Sequence, residues 1–210
     1  MSITYIQIVL ILVLIIYIIL GELKMEKHIV QRCCWVNLQN PLYVHYHDQE
    51  WGKPNHDDRY LFEMLVLESF QAGLSWECVL NKRENFRAAF DNFDVQKVAN
   101  YDEHKIAELL TNAGIIRNRL KIKAAIDNAK IFQQIQAEYG TFDRYLWQFT
   151  AGQPVVNRDG VLRATSPLSD TIAHDLQKRG MRFVGSTIIY SYLQAAGVID
   201  DHEPNCDFGN

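Results

Sequence analysis

The chain has 210 residues, of which 48% are apolar and 22% charged, so it can bury a core and is too apolar to be disordered. The formal net charge is −4, which excludes a protein that grips nucleic acid by bulk charge; any such contact must use a local basic patch. No repeat of fixed period is visible. The four cysteines, Cys33, Cys34, Cys78 and Cys206, make a poor disulfide framework in a chain this long and suit a reducing compartment.

The first residues differ from the rest. From Ile3 to Leu20 the only clearly polar residues are Thr4 and Gln7. A run of about 18 apolar residues has the length of a membrane-spanning helix. It makes a poor secretory signal, because no Lys or Arg precedes it and no A-x-A-like site follows. Two readings stand: a single N-terminal membrane anchor, or a natural start at Met25 with residues 1–24 as upstream sequence. Residues 1–24 hold one Glu and one Lys, so the net charge of 25–210 is the same. Lys24 and Lys27 after the run would keep the rest of even an anchored chain in the cytoplasm.

Beyond Met25, apolar spacing of three and four dominates and predicts an all-α domain of about eight helices. The first clear helix is expected over Asp58–Ala72, with Leu61, Leu65, Glu68 and Ala72 on one stripe and Gly73 just past its end. A second starts at Ser75, an N-cap type, and carries Trp76, Val79, Leu80, Phe86 and Phe90. A third carries Ile106, Leu109, Leu110 and Ala113 and stops at Gly114. Asn118 caps a long fourth with Ile122, Ala125, Ile126, Ala129 and Phe132 inward. A short helix is expected over Phe142–Phe149, and Gln153–Pro167 reads as a loop. Ser169 or Asp170 caps another helix, ended by Gly180, and the last runs from Ser186 to Ala196.

Four features can carry chemistry. Glu68 lies on an apolar stripe, where a carboxylate must be paired or serve a pocket. On periodicity alone, a Glu at the stripe's edge reaching solvent or an Arg is the better reading. Trp35, Tyr43, Tyr46, Trp51 and Trp76 cluster early in the chain; beside a buried carboxylate such rings suit a planar, electron-poor ring, though any one ring is more simply core packing. Cys33 and His47 near one end, with His202 and Cys206 as H-x3-C near the other, make a Cys2His2 set of the kind that holds structural zinc. The plain alternative is a loose tail whose His and Cys are incidental. Last, LLTNAGIIRNRLKIK, residues 109–123, joins a helix end to a helix start and carries Arg117, Arg119, Lys121 and Lys123 with no acid. A tight turn into a helix N-terminus is an anion site, and basic side chains beside it suit phosphates; an ordinary connection with a solvated basic face would look the same.

The blocks WVNLQNPLYVHYHDQEWGKP, LFEMLVLESFQAGLSW, KRENFR, AGIIRNRLKI and KRGMRFVGSTIIYSYLQAAGVIDDH, in that order from Arg32 to Cys206, resemble the 3-methyladenine DNA glycosylase I (Tag-type) family. The resemblance implies a helix-hairpin-helix DNA glycosylase fold, all-α, in one domain over 25–210, with the hairpin at Leu110–Ile122. It implies one structural Zn2+ per chain, held by Cys33, His47, His202 and Cys206 and joining the two chain ends. Cys34 stands where the family usually has Gly, which leaves it as the alternative to Cys33. The base pocket would use Glu68, Tyr46 and Trp76, with Trp35 and Trp51 in its wall. Leu74 would fill the gap left in the DNA stack. Gly114, Arg117, Arg119 and Lys121 of the hairpin would meet double-stranded alkylated DNA. The family is cytoplasmic and starts just before the Arg-Cys element, which supports Met25 as the start of a monomer with no membrane contact.

The activity so implied is removal of 3-methyladenine from DNA by hydrolysis of its N-glycosidic bond, leaving an abasic site and the free base. N3-methylation puts a positive charge on adenine, so the base leaves neutral and its bond is already weak. The enzyme must extract the base and hold it. Glu68 is read as a base-recognition residue and not as a general base. Asp127 and Asp143 follow the hairpin, but this family lacks the water-activating Asp of its relatives and neither is assigned that role. Two readings from other classes remain: a non-enzymatic module that binds damaged DNA, and a membrane-anchored zinc protein.

Overall fold

The computed structural model describes residues 7–15 and 29–209. Residues 7–15 form helix α1, and no helix among the described residues is long and apolar enough to cross a membrane. Half of the apolar run at Ile3–Leu20 (residues 3–6 and 16–20), and the start expected at Met25, lie outside the described residues. The chain divides into two units, Met1–Gln31 and Arg32–Asn210. Among its described residues the second contains ten further α-helices: α2 (Pro41–Gln49), α3 (Asp58–Gln71), α4 (Trp76–Leu80), α5 (Arg83–Ala89), α6 (Val95–Ala99), α7 (Glu103–Thr111), α8 (Arg119–Tyr139), α9 (Phe142–Trp147), α10 (Pro167–Lys178) and α11 (Ser186–Ala195).

The middle of this unit is α3. Asp57 caps it by accepting from the backbone N–H groups of Arg59 and Tyr60. Every residue from Leu61 to Phe70 is buried, so α3 has no polar face where the spacing predicted a stripe. It packs against α4, α8, α9 and α11. Phe62, Phe70, Phe86, Phe90, Phe93, Phe132 and Phe142 fill the space around it in a run of ring contacts. Asn118 caps α8 as its sequence predicts, through the Lys121 N–H, and the helix ends at Gly140 with φ of 87°.

Several boundaries differ from the sequence reading. The helix expected from Ser75 through Phe90 is two, α4 and α5, broken at Asn81 and Lys82. The cap of α10 is Ser166, in a reciprocal capping box with Ser169, because Pro167 is best placed in a first turn. The Gln153–Pro167 segment is not wholly irregular: Val155–Val156 pairs in parallel with Ile199–Asp200. The fold is therefore mostly helical with one two-residue strand pair, which pins this segment beside the C-terminal residues.

Candidate functional site

Helices α2, α3 and α4 converge on a cavity of about 280 Å³. Tyr46 comes from α2, Glu68 from α3 and Trp76 from the first position of α4, where Ser75 caps the helix through the Cys78 N–H. Trp35 and Trp51 also line it. The rings of Tyr46 and Trp76 lie 5.0 Å apart, and Trp35 meets Trp51 edge-on at 4.8 Å. All five residues expected of the pocket therefore line one cavity.

Glu68 is 2% exposed, and its Oε2 has no hydrogen-bond partner among the described residues. Burial alone pushes its carboxyl up to about 8. Glu63, on the same helix, shows the contrast. It is also buried, yet it accepts from Arg83 at 2.6 Å and from Arg87 at 2.8 Å. The chain thus neutralises one buried Glu of α3 and leaves the other bare. The Trp76 indole Nε1 is buried in the same wall and is likewise without a partner. Between the aromatic faces the cavity so holds an unpartnered acceptor and an unpartnered donor.

The sequence reading missed part of the wall. Val161, Leu162 and Arg163 line the cavity from the segment read as a polar loop, with Asp201 and Glu203 from the C-terminal tail. An apolar Val161–Leu162 pair inside that loop, 56% and 81% exposed, is the signal that could have marked it.

Beside the cavity, Cys33, His47 and Cys206 bring three ligand atoms within 4.8 Å of one another. Of the adjacent thiols it is Cys33 that belongs; Cys34 is exposed, and its N–H donates to Glu203 Oε1 at 2.9 Å. Asp48 Oδ1 holds the His47 Nδ1 at 2.7 Å, and Arg32 grips Asp48 with two nitrogens at 2.7 and 2.8 Å. Burial lowers the His47 pKa, which favours the neutral imidazole that a metal binds. His202 stands outside the mutually close group. Its ring lies 5.1 Å from that of His47, Asp200 holds its Nδ1 at 2.6 Å, and its buried Nε2 has no partner among the described residues. Gly52 has φ of +71°, and a Cβ there would come within 2.8 Å of the His202 ring, so only glycine leaves room for it. Two thiols and two imidazoles, each imidazole fixed by a carboxylate on its other nitrogen, fit a metal ion. Trp51 joins the two sites: it walls the cavity and packs edge-on against His202 at 4.6 Å.

The basic segment is only partly what its sequence predicts. α7 ends at Thr111, residues 112–118 are irregular, and α8 follows. Gly114 donates its N–H to Asn112 Oδ1, and a Cβ on it would come within 3.0 Å of Asn85. Arg117 is exposed and has no ion-pair partner among the described residues. Arg119 and Lys123 are exposed but both pair with Glu103. Lys121 corrects the expectation: it is 7% exposed, and its Nζ donates to the backbone carbonyls of Phe70 and Ala72 at 2.8 and 2.6 Å. Its place in the first turn of α8 lies against the end of α3, whose unpaired carbonyls take the ammonium. Leu74, 42% exposed, sits in the turn after α3. Asp127 lies within α8 and Asp143 pairs with His56 at 2.7 Å; neither lines the cavity.

The methyladenine glycosylase family matches residues 35–210. DNA-3-methyladenine glycosylase 1 of Escherichia coli strain K12 is 46% identical over 180 residues, covering 84% of this chain and 96% of that one. A crystal structure of 3-methyladenine DNA glycosylase I superposes with a TM-score of 0.81 at 47% identity, over 84% of this chain and 98% of the other. A structure of the Staphylococcus aureus enzyme, described as the basis of its 3-methyladenine recognition, gives 0.79 at 33% identity, over 82% and 93%. With the family matched across most of its length and close relatives covered almost end to end, this chain belongs to the methyladenine glycosylase family.

Proposed function

We propose that the protein is a monofunctional DNA glycosylase that removes 3-methyladenine from alkylated duplex DNA. The observation that carries this reading is Glu68: a carboxyl buried in an aromatic cavity whose Oε2 meets no donor among the described residues, the Arg163 of the cavity wall being paired with Asp159. A ligand that completes such a site is planar, offers a hydrogen-bond donor and carries positive charge. N3-methylated adenine within DNA is all three. Its exocyclic amino group donates to Glu68, and Tyr46 and Trp76 supply faces for its ring. The cation also draws the Glu68 proton off, since a positive neighbour favours the ionised carboxyl. Water adds to C1′ as the C1′–N9 bond breaks; the base leaves neutral with the bonding electrons, and one proton is released to solvent. Trp35 and Trp51 close the wall. Leu74 fills the gap in the stack, and the α7–α8 connection acts as a helix-hairpin-helix on the phosphate backbone, through Gly114 and Arg117.

Zinc is the metal proposed for the Cys/His cluster, with Cys33, His47, His202 and Cys206 as ligands. Four such ligands close its coordination, so its contribution is structural: it ties residues near both ends of the glycosylase unit together. The reading is tested by incubating the full chain with methylated duplex DNA and separating released bases. Release of 3-methyladenine, with abasic sites in equal number, is the expected result. Binding to methylated DNA with no base released would favour a non-enzymatic damage-binding module instead.

A further inference from the structure

We infer that Lys121 is a positioning residue: its buried ammonium staples the start of α8 to the end of α3 and so fixes the turn that carries Leu74. The last carbonyls of any α-helix lack partners within the helix, and a cation is favoured there. The last turn of α3 holds no basic residue of its own. Lys121 supplies the cation from another element, donating to Phe70 O at 2.8 Å and Ala72 O at 2.6 Å. From the second of these carbonyls the chain turns sharply. Ala72 leaves the helix at φ −46° and ψ 113°, Gly73 follows at φ +80°, and the Leu74 N–H returns to Gln71 O at 2.6 Å. Among the described residues, no other side chain donates to the carbonyls of this turn.

The connection matters because of what lies at its two ends. The inference rests on the proposed function, in which the α7–α8 hairpin grips phosphate and Leu74 enters the DNA stack. One cation then sets the distance between the two. Glu68 lies further back in α3, inside the fully buried stretch, and Trp76 beyond the turn is held by the Ser75 cap of α4 and by the Tyr46 ring, so neither place rests on the staple alone. Loss of the ammonium should therefore damage base extraction and spare the pocket.

The test uses Lys121→Met, which keeps the stem and removes the donor, and Lys121→Arg as the conservative rescue. Excision from methylated duplex DNA by Lys121→Met should fall about tenfold, with Lys121→Arg recovering most of it. Affinity for free 3-methyladenine, followed by Trp fluorescence, should stay within twofold. Leu74→Ala should cost less in the Lys121→Met background than in wild type, because the side chain is already misplaced there. Amides of residues 71–75 should exchange with solvent at least tenfold faster in Lys121→Met, while those of residues 61–66 do not. Three results would overturn the inference: equal Leu74→Ala penalties in both backgrounds, a salt slope for DNA binding lowered by about 0.9, which marks a lost phosphate contact, or unchanged exchange at 71–75. A wild-type chain that releases no base would instead overturn the proposed function, and the exchange rates alone would then judge the staple.

Discussion

The aromatic cavity and the Cys/His cluster share a wall and treat buried polar groups in opposite ways. In the cluster every imidazole is fixed from outside: Asp48 holds His47, Asp200 holds His202, and Arg32 and Arg158 hold those carboxylates in turn. Among the described residues the cluster's one unpartnered ring nitrogen is His202 Nε2, on a ring 5.1 Å from that of His47. In the cavity no such support surrounds Glu68 Oε2 or Trp76 Nε1. A structural site benefits from being rigid at all times, so its ligands are oriented in advance. A recognition site that satisfied its own carboxylate, as α3 does for Glu63, would have nothing left to offer a cationic base.

The largest effect should come from the cluster. Structural zinc contributes on the order of 10 kcal/mol in small metal-dependent folds. Loss of even about 4 kcal/mol lowers the melting temperature of a domain of this size by roughly 8–16 °C. With zinc in the cluster as proposed, removing it with a chelator, or Cys206→Ser, should produce at least that shift in a calorimetric scan. Protein still folded at low temperature should bind free 3-methyladenine as before. A metal-free chain with an unshifted melting temperature would erase the distinction between the two sites.

Glu68→Gln should do the reverse, strengthening the fold and weakening recognition. Folding raises the Glu68 pKa from about 4.5 to about 8, so between those values the folded chain holds a proton that the unfolded chain has released. More protons bound in the folded state means that stability falls as pH rises through this window. The slope is at most about 1.4 kcal/mol per pH unit. Glu68→Gln removes that loss: the variant should match wild type in denaturant melts at pH 4.5 and exceed it by several kcal/mol at pH 8.5. Equal stability at both values would mean that Glu68 is not the uncompensated acid its surroundings suggest.

The same substitution should slow catalysis by a somewhat smaller energy. A charge-assisted hydrogen bond contributes about 1.5–3 kcal/mol, which corresponds to a loss in kcat/KM of roughly tenfold to a hundredfold on methylated DNA. Wild-type kcat/KM should rise with pH towards about 8, where free Glu68 loses its proton, and the Gln variant should be flat over that range. A flat wild-type profile would place base recognition elsewhere in the cavity.

These two sites were unequally legible in the sequence. Cys33, His47, His202 and Cys206 are residue types whose chemistry is narrow, and the structure brings three of them, Cys33, His47 and Cys206, together, with His202 outside that group. Glu68 could be placed on an apolar stripe, but spacing along one helix does not reveal whether an Arg waits on a neighbour, and Glu63 with its two Arg partners shows how easily one does. Lys121 was misread for a related reason. Its run of basic neighbours looks like a solvated face, and its burial is decided by the end of α3, far away in the chain. Helix starts fared better than breaks. Asn118 and Ser75 cap through their own side chains, a local property, whereas the α4–α5 break at Asn81 and Lys82 has neither Gly nor Pro to announce it. The strand pair at Val155–Val156 is too short to leave a period.

The smallest effect separates affinity for the DNA backbone from recognition of the base. The sequence offers Arg117, Arg119, Lys121 and Lys123 as one basic run, and the structure divides their charges. Lys121 is committed to α3, and Arg119 and Lys123 share Glu103. Arg117 alone among these is exposed and unpaired within the described residues, in the irregular stretch just before α8. Each phosphate neutralised on duplex DNA releases condensed counterions and steepens the dependence of log affinity on log salt by about 0.9. Arg117→Ala should therefore lower that slope by about 0.9, weaken binding to methylated and unmethylated duplexes alike, and leave free-base affinity unchanged. Arg119→Ala should lower it by less, because Glu103 already offsets part of its charge. Salt titrations of DNA binding for the two variants decide the matter: a larger drop for Arg119→Ala would show that DNA displaces Glu103, and that the run acts as the single patch its sequence suggests.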